Sequence, residues 1–201
     1  MSIIKLNNRG VKNASAFGTV TSVGTLSLIQ KQTASSSSTI SFTSGIDNSF
    51  KEYVFYFNNI HPYTNNVDFQ FNASIDSGSN YNVSKTSTTF QAQHDEADSE
   101  ALLQYNTDRD LANGTGVQKI SLQIGNGNDE CVSGFLHFFN LNSSTFVKHY
   151  MGIVNGYNGS NYTQELHTNG YINNTNSVDA IQFSFSSGAI DSGDILLFGL
   201  N

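Results

Sequence analysis

Between Thr25 and the C-terminal end, apolar and polar residues alternate with a period of two. A Gly-, Asn- or Asp-centred break interrupts that rhythm roughly every 8–15 residues, as at Asp76-Ser77-Gly78, Asn113-Gly114, Asn155-Gly156, Asn169-Gly170 and Asp191-Ser192-Gly193. Period two places successive side chains on opposite faces of an extended chain, so the pattern predicts half-buried strands joined by tight turns. Ile40 and Phe42, then Ile120, Leu122 and Ile124, then Ile181, Phe183 and Phe185 mark core-facing positions. About nine such strands exceed what one open sheet holds comfortably, so two packed sheets are expected. The fold class is therefore all-β: a jelly-roll-like antiparallel β-sandwich. An immunoglobulin-type sandwich fits less well, because the chain has no Trp and a single Cys. Only HDEADSEALLQY (residues 94–105) has a helical look, with an acidic first half suited to a helix N-terminus.

The stretch EYVFYFNNI, residues 52–60, carries apolar residues on both of its faces. Tyr53, Phe55 and Phe57 alternate with Val54, Tyr56 and, two positions further, Ile60. The following run reads Val67, Phe69, Phe71 and Ala73 against Asp68, Gln70 and Asn72, a strand with one face in a core and one in water. The first strand has one face too many for a two-layer sandwich. Val54, Tyr56 and Ile60 then lie under a connecting loop or meet another subunit.

Charge is sparse: 12% of the residues are Asp, Glu, Lys or Arg, and the net charge is −7. Polarity comes instead from Asn, Ser and Thr, which favour turns and exposed strand faces. No block of Lys or Arg exists to track a phosphate backbone, so nucleic acid is not an expected partner. No apolar run approaches the roughly 18 residues of a membrane span, and MSIIKLNNRG lacks the apolar centre of a signal peptide, so folding in a cytoplasm without membrane insertion is expected. The lone Cys131 reads as a small buried residue.

Residues 1–24 differ from the rest. They hold Lys5, Arg9 and Lys12, no acidic residue, and the apolar Ile3, Ile4, Leu6, Val11 and Phe17. They read as an extended N-terminal attachment arm whose Ile3, Ile4, Leu6, Arg9, Val11 and Phe17 bind a partner surface, ahead of a sandwich domain over residues 25–201.

Motifs for chemistry are absent. There is no G-x-S-x-G elbow, P-loop, H-E-x-x-H, C-x-x-C or Rossmann fingerprint, and the five histidines are scattered. No enzymatic activity or obligatory cofactor is expected. Asp95, Glu96 and Asp98 are the best candidates for a hard cation such as Ca²⁺, set against the plainer reading of a solvated acidic loop. Tyr157 and Tyr162, with Asn158 between them, are candidates for stacking on and hydrogen bonding to a sugar, set against tyrosines packed beneath their own loop.

Several long stretches carry a family resemblance. SSSSTISFTSGIDNSFKEYVFYFNNIHP, FQAQHDEAD, DLANGTGVQKI, GNGNDECVSGFLHFFNLNSSTFVKHY and GYINNTNSVDAIQFSFSSGAIDSGDILLFG resemble a module found in virion structural proteins of marine bacteriophages. The resemblance covers about residues 25–200 and brings no catalytic residues with it. It implies a virion protein on the particle exterior, of tail-fibre or capsid-decoration type. Related modules often follow a longer N-terminal region; the short arm of residues 1–24 favours a module clipped directly onto capsid or tail proteins. The expected assembly is a closed ring of identical subunits, a homotrimer. The other reading is a receptor-binding adhesin for host-surface glycan.

Overall fold

A computed structural model of the chain describes residues 26–200; the proposed arm, with Ile3, Ile4, Leu6, Arg9, Val11 and Phe17, lies outside the described residues. Twelve strands follow in order: β1 (Ser27–Thr33), β2 (Ile40–Phe42), β3 (Glu52–Pro62), β4 (Phe69–Ser74), β5 (Lys85–Asp95), β6 (Ala101–Tyr105), β7 (Gln118–Lys119), β8 (Val132–Phe139), β9 (Lys148–Tyr157), β10 (Tyr162–Ile172), β11 (Ala180–Phe185) and β12 (Ile190–Leu200). They form two antiparallel sheets, one of eight strands in the order β1-β12-β3-β8-β9-β10-β5-β6 and one of four in the order β2-β11-β4-β7. The protein is a β-sandwich. Setting aside β5–β6 and β9–β10 leaves two four-stranded sheets, β1-β12-β3-β8 and β2-β11-β4-β7, which is the jelly-roll arrangement. Those two hairpins extend one sheet to twice the width of the other.

Aromatic side chains join the layers. Phe183 on β11 is fully buried, with ring centroids 5.0 Å from Phe55, 5.2 Å from Phe57, 5.8 Å from Phe69 and 6.2 Å from Phe42. Phe71 and Phe138 continue the contact at 5.5 Å, edge to face. Edge-to-face packing sets the positive ring edge against the negative ring face, a gain beyond area burial alone.

Three sequence-based expectations change in the structure. First, residues 94–105 form the turn and return strand of the β5–β6 hairpin, paired from Phe90–Tyr105 to His94–Ala101. The Asp95 carboxylate accepts hydrogen bonds from the Ser99 hydroxyl, from Ser99 N at 2.8 Å and from Glu100 N at 2.9 Å, and Asp98 takes a left-handed φ of 54°. A side chain that captures these amides, with a left-handed residue inside the loop, stops a helix before its first turn closes.

Second, Ile60 belongs to the core and not to the outer face with Val54 and Tyr56. Asn59 has a φ of 50°, and pairing with β8 shifts between Phe57 and Ile60. On β12, Asp194 pairs with Asn58 and Ser192 with His61, so Asn59 and Ile60 together oppose the single Gly193. That is a β-bulge, and it reverses the facing of every residue beyond it. A Cβ on Gly193 would sit 2.5 Å from Asn59 O, which only glycine avoids.

Third, the polar side of β4 is buried. Asp68 holds Lys119 Nζ at 3.0 Å and Arg109 at 3.3 Å, Gln70 Nε2 donates to Ser184 Oγ at 3.1 Å, and Asn72 Nδ2 donates to Tyr81 O at 2.6 Å. The segments around Tyr81 and Arg109 cover this face, so its polarity serves internal bonding in place of hydration.

Two lysines are interior, which no local pattern suggested. Lys148 Nζ donates to the carbonyls of Ser143 at 2.6 Å, Asn174 at 3.0 Å and Phe146 at 3.2 Å, tying two loops together. Lys85 has no exposed surface; its Nζ donates to Asn72 Oδ1 at 2.6 Å and Val83 O at 2.8 Å. Burial lowers the Lys85 pKa to about 8.

Replacing Phe183 with Ala will lower unfolding free energy by about 3–5 kcal/mol, read from urea melts, because a ring-sized void opens between the sheets. Lys85 gives a pH signature. Below pH 8 it is protonated in both folded and unfolded chains, and the cost of burying its charge is fully present. From about pH 8 to the model-peptide value of 10.5 the folded state sheds the proton that the unfolded chain keeps, so stability rises with pH. Wild type will therefore gain on the order of 2–3 kcal/mol relative to Lys85→Met across that window, measured by paired denaturant melts. A constant difference would refute the assignment.

Candidate functional site

The wide sheet has an outer face that the narrow sheet cannot reach. Strand register places one side chain from each of seven strands in a single cross-strand row. Leu196 pairs with Tyr56, Tyr56 with Phe135, Phe135 with Ile153, Ile153 with His167, His167 with Phe90, and Phe90 with Tyr105. A second row runs Phe198, Val54, His137, Met151. Six inter-strand steps make the first row about 29 Å long. Tyr56 rests on Phe198 edge to face at 5.6 Å, and His167 stacks on Phe90 at 4.5 Å. Much of this surface is open: Met151 is 54% exposed, Tyr105 51% and Leu103, on the same face of β6, 73%. The two rows together cover about 350 Å² in plan, within the range of the largest apolar patch on an ordinary monomer.

The carboxylates on this face each have a neighbour on it, a lysine for Asp194 and a histidine for Glu52 and Glu165. Glu52 Oε2 lies 2.8 Å from His137 Nε2, Asp194 lies 2.8 Å from Lys31 Nζ, and Glu165 contacts His167. Near one margin, Phe139, His149, Met151, Tyr171, Thr86 and Thr88 ring a hollow of about 420 Å³. His137 and His149 share this face but are two residues out of register. His137 takes Glu52 and stacks on Phe139 at 4.3 Å, whereas His149 packs against Tyr171.

The opposite, inner face differs where β5 and β6 overhang the narrow sheet. Gln91, Gln93, Gln104 and Gln164 point into a polar cleft of about 440 Å³, which Arg109, Asp108, Glu100 and Tyr162 also line. Their amides are interlinked: Gln91 Nε2 donates to Gln93 Oε1 at 2.9 Å, Gln164 Nε2 to the same oxygen at 3.2 Å, and Gln93 Nε2 to Glu100 Oε1 at 2.9 Å.

The residues singled out in the sequence are dispersed. Val54 is buried on the outer face between Phe198 and His137, and Tyr56 is 37% exposed there. Ile60 is in the core. Tyr157 and Tyr162 lie on opposite faces of the wide sheet. Tyr157 donates to Asn161 Oδ1 at 3.1 Å beside His94 and Glu96, and Tyr162 donates to Glu100 Oε2 at 3.0 Å in the cleft. They therefore do not form one stacking surface. Asn158 is buried, its Oδ1 accepting from Ser160 N at 2.9 Å and Tyr162 N at 3.1 Å, so it shapes the β9–β10 turn. Asp95 spends its carboxylate on its own turn, and those hydrogen bonds, led by the Ser99 hydroxyl, lower its pKa. Asp98 contacts His94 at 3.2 Å and is otherwise open. Among the described residues no three His, Cys, Asp or Glu side chains gather as a metal site. Cys131 is half-buried, not fully enclosed, and burial raises its thiol pKa.

The chain matches no protein-family model, no curated protein and no solved structure.

The glutamines of the cleft escaped sequence reading, although FQAQ carried the signal: Gln at every second position where a core residue is due.

Proposed function

We propose that this chain is a non-enzymatic structural subunit of a bacteriophage particle, self-associating through the outer face of its eight-stranded sheet. The observation that carries the reading is the registered apolar row from Leu196 to Tyr105. Leaving that row in water forgoes about 25 cal/mol for each Å² of apolar surface it could bury. It would form the apolar centre of a standard interface, to which each partner contributes ~800 Å². The occupant is a second copy of the chain. A chain of net charge −7 repels its copies, but this face adds little to that repulsion: Asp194 is matched by Lys31, and Glu52 and Glu165 each lie against a histidine of the same face. The hollow beside Met151 and Tyr171 offers a seat for a neighbour's side chain, and such pocket-and-anchor contacts carry most interface energy.

The virion setting rests on the sequence resemblance over residues 25–200. In this reading the module is a tail-fibre-type or capsid-decoration component on the particle exterior. Residues 1–24 attach it to capsid or tail proteins, and three copies close into a ring.

At tens of micromolar, light scattering on the eluting full chain will give about three times the 21.9 kDa chain mass. Met151→Lys, at a position open in the single subunit, will shift the mass toward one copy while leaving the circular dichroism melt nearly unchanged. A wild-type chain of one-copy mass at that concentration would overturn the reading.

A further inference from the structure

The amide-lined cleft beneath the β5–β6 overhang has no part in the assembly reading, because strand alternation places it on the other side of the sheet. Its chemistry is unusual for its position. Gln91, Gln93 and Gln164 occupy inward-facing strand positions, and they continue a buried polar run on β5 that includes Lys85, Ser87 and Thr89, where the inward faces of β3, β4 and β11 carry mainly Phe, Tyr and Ile. Gln91 is 2% exposed and Gln164 5%. An amide buried this deeply is costly unless its hydrogen-bonding groups are used.

Most of them are used internally. Asn106 Nδ2 donates to Gln91 Oε1, Gln91 and Gln164 both donate to Gln93 Oε1, and Gln93 donates to Glu100. The network fixes each amide plane in one orientation. Two groups lining the cleft are left over. Gln164 Oε1, an acceptor, and Arg109 Nε, a donor, are buried without a protein partner. Arg109 also contacts the buried Asp68 at 3.3 Å, a carboxylate it shares with Lys119.

We infer that this cleft binds a neutral, polyhydroxylated ligand: one or two sugar rings of the kind displayed on cell-surface glycans. A planar amide presents a donor and an acceptor side by side, and a pair of adjacent hydroxyls is its complement. A phosphate or carboxylate is disfavoured, because the carboxylates of Glu100 and Asp108 line the cleft and its one cation, Arg109, is already drawn to Asp68. An apolar peptide side chain would leave the Gln104 amide, Gln164 Oε1 and Arg109 Nε without partners. At the rim, the Tyr162 hydroxyl is held by Glu100 at 3.0 Å, which fixes the ring as a face for a sugar's C–H surface. A cleft of about 440 Å³ lies within the range of small-ligand sites.

The test uses the full chain and a panel of glucose, galactose, mannose, N-acetylglucosamine and their disaccharides, screened by saturation-transfer NMR and then titrated. At least one sugar will bind saturably. Gln93→Ala and Gln104→Ala will each weaken it about tenfold, while Tyr157→Ala on the opposite face will leave affinity unchanged. Gln104 is exposed on the edge strand, so its replacement keeps the fold, verified by an unaltered thermal melt. Absence of saturable binding by every sugar would overturn the inference. So would binding that survives both glutamine variants, or inorganic phosphate competing at equal strength. Each of these three results leaves the assembly reading standing, since that depends on mass and on Met151.

Discussion

Phe183 is where the two sheets become one body. It meets Phe55 and Phe57 from the wide sheet and Phe42 and Phe69 from its own, all within 6.2 Å between centroids. The chain has no disulfide to substitute for this contact, and its charge is too sparse for ion-pair networks to do so. Interior aromatic packing therefore sets how the layers lie on each other. It also makes the wide sheet a stiff platform, on which a row of side chains keeps its register.

The unequal width of the sheets does the rest. The eight-strand jelly-roll frame is complete without β5–β6 and β9–β10, yet both hairpins join the same sheet. Widening one layer and not the other has two physical consequences. The outer face gains Ile153, His167, Phe90 and Tyr105, which carry the row across seven strands. The inner face acquires an overhang beyond the hydrophobic layer, where Gln and Asn take the places of Phe and Leu. One face then suits assembly and the other stays open to a polar ligand, and the two readings do not compete for surface.

Much of the fold could be read from the chain. Period-two alternation and regularly spaced turns determine an all-β sandwich without reference to any partner. The surplus of Val54 and Tyr56 likewise identified a face without a core to enter. What the sequence hid was non-local. Ile60 reverses its facing because Gly193, over 130 positions away, allows a bulge opposite Asn59. Asp68, Gln70 and Asn72 alternate as wetted residues do, and only the distant Arg109, Lys119 and Tyr81 reveal them as buried. The 94–105 segment has helical composition, but one carboxylate, Asp95, captures the amides needed for a first turn. The apolar row is invisible in one dimension, because Leu196, Tyr56, Phe135, Ile153, His167, Phe90 and Tyr105 become neighbours only through six strand pairings.

The central claim is that this row is covered by identical subunits. Met151 reports on it directly, since a thioether oxidises according to its access to solvent. In a single folded subunit Met151 is 54% exposed and should react with dilute peroxide almost as fast as in the unfolded chain. In the assembled protein its oxidation, followed by peptide mass spectrometry, will be slowed at least tenfold and will quicken on dilution. A rate matching the unfolded chain at every concentration would contradict the account.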